Sequence, residues 1–192
     1  MKKSLARKLS VFFAGIVFIT CLVLVGLTVM IFGNIEDRMK DVLYENTLQS
    51  YKTEVKSEVQ SAISSIEYYY NLSDSGKIDE ATAKKDALEA LRNLRYGDDD
   101  SGYFWVDDTD YNLVMHPILP EQEGTNRYDL TDKNGVKIIQ SIMKTAESGG
   151  GFNEFYFTKS DGKTVAPKVA YSQKFDKWNW VITTGIYSDD IH

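Results

Sequence analysis

The chain has 192 residues and a formal net charge of −6. That length admits one ordinary domain plus an appendage and excludes a large multidomain enzyme. Four cations (Lys2, Lys3, Arg7, Lys8) and no anion precede residue 33, so the remaining 160 residues carry 18 cations against 28 anions, a net of −10. An acidic bulk argues against nucleic acid as a partner, because phosphate binding needs a basic face. At 43% hydrophobic and 26% charged residues, the chain can build a core, so wholesale disorder is excluded.

Val11 to Phe32 is a run of 22 residues without a charge. At about 1.5 Å per residue a helix of that length crosses a hydrocarbon core of about 30 Å. The run is longer than the apolar part of a secretory signal peptide, and no Ala-x-Ala cleavage site follows it. It is expected to be an uncleaved span. The four cations lie before it and Glu36-Asp37 after it, so the positive-inside rule places residues 1–10 in the cytoplasm and residues 33–192 outside. The lone cysteine, Cys21, lies inside this run. It permits no intrachain disulfide and is expected to sit in lipid.

From Ile35 to Asn71 there is no proline and no glycine. Ile35, Met39, Val42, Leu48, Val55, Val59, Ala62, Ile66 and Tyr69 fall mostly three, four or seven residues apart, which marks one face of a long stalk helix. That face packs on its own domain or, in a homodimer, on a partner helix. After the turn residues Asn71 to Gly76, Asp79 reads as the N-cap of a second helix, Glu80 to Arg95. Asp98 to Gly102 reads as a loop. Strands are expected at Tyr103–Val106 and Asn112–His116, paired as a hairpin. A third helix is expected at Val136–Glu147, and strands at Phe152–Phe157, Val165–Gln173 and Trp180–Tyr187. Asp161-Gly162 supplies a hairpin turn. The layout is α+β: an antiparallel five-stranded sheet with helices on its faces.

Several elements recur in a known order. They are Gly102-Tyr103-Phe104-Trp105-Val106-Asp107, Leu113-Val114-Met115-His116-Pro117, Asp132-Lys133-Asn134-Gly135, Gly149-Gly150-Gly151-Phe152, Pro167-Lys168-Val169-Ala170-Tyr171 and Trp178 to Tyr187. This ordered set resembles the single Cache sensor domain of bacterial chemoreceptors and sensor kinases, over residues 35 to 191. The resemblance implies a transmembrane helix, a long extracytoplasmic helix and a PAS-like sheet. It also implies a membrane receptor that binds a small extracellular molecule, and several members of the single-Cache type bind short carboxylates. The family usually has a glycine in the first hairpin turn, where this chain reads Asp110-Tyr111-Asn112; Asn112 is expected to take the positive φ.

A carboxylate pocket needs an apolar cup and one or two aimed cations or hydroxyls. The candidates are Arg95 at the end of the second helix, Tyr103 and Trp105 on one face of the first strand, and His116 at the end of the second. Tyr156 lies in the third strand, and Lys168 and Tyr171 in the fourth. By resemblance His116 and Lys168 occupy the family's His-Pro and Pro-Lys elements. With Arg95 they are the expected carboxylate partners. Lys168 stands in an otherwise uncharged strand, where an ammonium is costly unless paired or exposed. In a regular strand Lys168 and Tyr171 face opposite sides, so both reach one pocket only through a bulge or bend near Pro167. Arg92 is expected only to solvate its helix. By the same family resemblance, amino-acid-binding Cache receptors, mostly of the double type, typically combine a distal aspartate with an arginine two residues before a tryptophan. Tyr103 stands there, which argues against an amino-acid ligand.

No Gly-x-Ser-x-Gly, His-Glu-x-x-His or phosphate-cradling glycine loop is present, so an extracytoplasmic enzyme is not expected. No cofactor or metal is expected either; Asp98-Asp99-Asp100 lacks the spacing and glutamate of a calcium loop. His192 falls where a receptor would begin a second span. The expectation is therefore either a piece of a longer receptor or a stand-alone anchored binding protein.

Overall fold

The computed structural model describes residues 2–97, 100–159 and 161–191. Asp98 and Asp99 of the acidic loop, and His192, lie outside the described residues. The chain divides into two units, residues 1–46 and 47–192. The first is helical, and its large apolar side chains from Leu5 to Leu43 are exposed. Among the described residues it supplies one helix long and apolar enough to cross a membrane, with a mean hydropathy of 2.8 over its most apolar window. Cys21 is exposed within that run.

The second unit is a five-stranded antiparallel sheet with helices on both faces. Helix α1 (Lys2–Asp74) contributes its last turns. Val55, Val59, Ala62 and Ile66 from the expected stripe are buried there. That part of the stripe packs on its own domain, whereas Ile35, Met39 and Val42 are exposed. Helix α2 (Glu80–Asn93) starts where Asp79 caps it, accepting from the Thr82 N–H at 2.9 Å. It buries Ala83, Ala87 and Leu91. It ends two residues before the expected Arg95, because Leu94 is already extended.

The strands are β1 (Trp105–Asp108), β2 (Leu113–Met115), β3 (Gly151–Thr158), β4 (Val165–Phe175) and β5 (Trp180–Tyr187), in the order β2-β1-β5-β4-β3. In the turn between β1 and β2, Tyr111 rather than Asn112 takes the positive φ, +69°. The Asp108 carboxylate compensates by accepting from the Asp110 and Asn112 N–H groups. Helix α3 (Ile138–Glu147) is strongly amphipathic and buries Ile138, Ile139, Ile142, Met143 and Ala146.

Strand alternation divides the core in two. Phe104, Val106, Tyr171, Trp180 and Ile182 face α1 and α2. Tyr103, Trp105, Phe155, Phe157, Ala170 and Val181 face α3. At Gly185 a Cβ would collide with the Val169 carbonyl and come 2.7 Å from Ala170 Cα, so only glycine lets β4 and β5 approach this closely.

Candidate functional site

The α3 face of the sheet carries a dense group of polar atoms among aromatic rings. Register assembles it. On β4, Lys168 stands directly across from Phe155 of β3 and Tyr187 of β5. Tyr103 and Trp105 point to the same face from β1 and its entrance. Lys168 is 1% exposed. Its Nζ donates to the Tyr103 hydroxyl at 2.9 Å and to the Tyr187 hydroxyl at 3.3 Å. It also lies 4.1 Å from the Tyr103 ring centroid, 4.5 Å from that of Tyr187 and 5.0 Å from that of Trp105. Rings and hydroxyls solvate the ammonium, yet no carboxylate pairs with it among the described residues. Burial pushes the Lys168 pKa down, against the opposing effect of Tyr103.

His116 follows β2 and is fully buried. Pro117 has no N–H, so the first loop donors that reach the ring come from Ile118 and Leu119, both 3.2 Å from Nδ1. These two bonds assign the ring proton to Nε2. That N–H has no hydrogen-bond partner among the described residues. The imidazole stacks on Trp105 at 6.0 Å and Phe157 at 5.9 Å, and lies 5.4 Å from Tyr103. These rings also surround Lys168. Burial, and then the charges of Arg127, Lys168 and Arg92, push the His116 pKa down to about 3, so the ring is neutral.

Arg127 completes the group. It is 5% exposed and forks onto the fully buried Asp107: Nε donates at 3.0 Å, and Nη2 lies 2.6 Å from both carboxylate oxygens. Its Nη1 is buried without a partner among the described residues, and the Trp105 indole N–H, which makes no hydrogen bond of good geometry there, favours the ionised Asp107 carboxylate. Burial pushes the Asp107 pKa up, although Arg127 pulls the other way. The site thus gathers an ammonium, an imidazole N–H, an indole N–H and one guanidinium nitrogen. Its only carboxylate among the described residues, Asp107, is already engaged. Such a donor-rich cluster walled by apolar rings has the groups that a small anion requires.

Of the seven sequence candidates, Tyr103, Trp105, His116 and Lys168 come together. The other three do not. Arg95 is exposed, and its Nη1 donates to the Arg92 and Leu94 carbonyls at 2.8 Å, back onto its own helix end. Tyr171 belongs to the opposite core, because β4 pairs in unbroken register past Pro167 and no bulge reverses its side. Tyr156 is half-buried beneath Lys133 Nζ, 3.6 Å from its ring centroid. It lines a cavity of about 280 Å³ with Asp132, Asn134, Pro167 and Lys168. Sequence reading missed Arg127 and Tyr187.

The comparisons with known proteins fit this architecture. Residues 47–192 match the single Cache domain 2 family. The chain belongs to that family. It is 34% identical over 159 residues to the sensor histidine kinase MctS of Rhizobium johnstonii, which covers 83% of this chain and 33% of that protein. It is 27% identical to the methyl-accepting chemotaxis protein McpP of Pseudomonas putida, over 78% of this chain and 27% of that one. The chain therefore spans about a third of these relatives. A periplasmic sensor domain of a chemotaxis protein superposes with a TM-score of 0.70 at 32% identity, covering 73% of this chain and 96% of that one. A Cache chemosensory domain solved for its recognition of carboxylic acids does so with 0.70 at 26%, covering 74% and 97%. This Cache domain is thus a sensor module of the kind found in chemotaxis receptors and kinases.

Proposed function

We propose that this Cache domain is the extracytoplasmic input of a membrane signalling receptor and that it binds a short carboxylate. The observation that carries the reading is Lys168, a buried ammonium with hydroxyl and aromatic neighbours but no anionic partner among the described residues. A ligand carboxylate would supply the missing charge, and the His116 and Arg127 donors would take its second oxygen. Trp105, Phe157 and Tyr103 would enclose a small apolar tail. The similar Cache domain that recognises carboxylic acids supports the same class.

In this reading the apolar run Val11–Phe32, the one candidate span among the described residues, anchors the protein in the cell membrane, with residues 1–10 cytoplasmic and residues 33–192 outside. In this reading the cluster binds rather than catalyses, as in the chemotaxis sensor domains that the chain resembles. Calorimetric melting of the detergent-solubilised chain with acetate, propionate, pyruvate, lactate and amino acids tests the reading. A ligand at about 100 times its dissociation constant stabilises by about 2.7 kcal/mol. If no carboxylate raises the melting temperature, the ligand class is wrong.

A further inference from the structure

The backbone of His116 is gripped from outside the cup. Glu123 Oε1 accepts the His116 N–H at 2.8 Å. The same carboxylate is forked by Arg92, with Nη1 2.8 Å from Oε1 and Nη2 2.9 Å from Oε2. Arg92 Nη1 also reaches the His116 carbonyl at 3.5 Å. The two side chains therefore hold both polar groups of one residue's backbone. Arg92 lies in the last turn of α2, and Glu123 follows the short 3-10 turn Pro120–Gln122. The loop from His116 to Glu123 closes on itself: its start donates to its end, and its middle caps Nδ1 through Ile118 and Leu119. Arg92 is thus not a solvated helix residue, as its sequence context implies, but a link from α2 to the donor loop.

We propose that Arg92 and Glu123 are positioning residues: their ion pair clamps the His116 backbone and so aims the imidazole N–H at the ligand carboxylate. The proposal rests on the carboxylate reading for the identity of the ligand, but the clamp itself is defined without one. A bidentate guanidinium–carboxylate pair fixes angle as well as distance, which a single lysine contact does not. Glu123 is also held ionised. Burial alone would raise its pKa, but the Arg92 fork and the His116 N–H more than reverse this, and it stays below the usual carboxylate range.

The test uses the full chain in detergent micelles, with acetate as the probe. Glu123→Ala and Arg92→Ala are each expected to weaken acetate binding at least tenfold. They are also expected to move the His116 ring nitrogen resonances in the ligand-free protein. Glu123→Gln retains an acceptor for the His116 N–H and should recover most of both effects. If wild-type protein binds neither acetate nor a longer carboxylate, the ligand reading fails, and the ligand-free resonances still decide the clamp. If those resonances stay in place in folded Glu123→Ala and Arg92→Ala, the clamp is overturned. It is also overturned if the resonances move but acetate affinity does not.

Discussion

Replacing Lys168 by methionine separates a ligand-binding ammonium from a structural one. A structural lysine stabilises the fold through its hydrogen bonds, so its removal should destabilise. Here the balance runs the other way. Desolvation outweighs the help that Tyr103 gives the charge, which is why the Lys168 pKa is lowered. The phenols do not lose their bonding either: Tyr103 and Tyr187 hydroxyls lie 3.2 Å apart, and both reach the Thr158 carbonyl. Methionine fills similar space against the rings and gains sulfur–aromatic contacts. Exchanging buried ionic groups for packed apolar ones is neutral or stabilising by about 1–4 kcal/mol. For a domain of this size each 1 kcal/mol raises the melting temperature by about 2–4 °C. The ligand-free Lys168→Met protein should therefore melt at the wild-type temperature or above it. Carboxylate binding should fall by about 2–5 kcal/mol, roughly 30-fold or more, because a buried anion would lose its partner. Paired calorimetric melting and titration would show both effects. A ligand-free variant destabilised by more than about 2 kcal/mol, or one that binds carboxylate normally, would refute the reasoning.

Two further outcomes follow from the same face of the sheet. The His116 pKa is lowered to about 3, so the folded ring stays neutral while the unfolded ring takes a proton below about 6.5. Stability should fall as pH drops through that window, and His116→Gln should reduce the slope by about 1 kcal/mol per pH unit in urea titrations between pH 6 and 4. Equal slopes would show that the ring titrates normally in the fold. Arg127→Met should cost about 3–5 kcal/mol by stranding Asp107, and the double variant Asp107→Leu/Arg127→Met should recover most of it. Additive losses in urea unfolding would contradict the buried pair.

Much of this fold is written in local periodicity. Val55, Val59, Ala62 and Ile66 repeat at helical spacing because one face of α1 must meet the sheet, and that face is buried as the spacing predicts. The five strands and their antiparallel arrangement were legible in the same way, with no end shifted by more than two residues. Half of the site was legible too: alternation places Tyr103 and Trp105 together, and an isolated lysine in an apolar strand marks Lys168. Arg127 was not, because it sits in an irregular loop without period, 20 residues from its partner. Its trace lies instead in β1, where Asp107 continues the inward phase of Tyr103 and Trp105 and so demands a buried cation. Tyr187 escaped because its role depends on cross-strand register with Lys168, which a single strand does not reveal. Arg95 and Tyr171 were misplaced for local reasons, an early helix end and a strand that does not bulge.

The burial of Lys168 has a kinetic consequence. Residues 33–192 carry a net charge of −10, so an approaching carboxylate is slowed by repulsion that acts through solvent. Dissolved salt shortens the reach of that repulsion to about 8–10 Å at physiological strength, while the contact with an enclosed ammonium is far less screened. Salinity should therefore speed capture and leave escape nearly unchanged. An anion sensor built this way grows keener in brine, opposite to one that displays its cation on the surface.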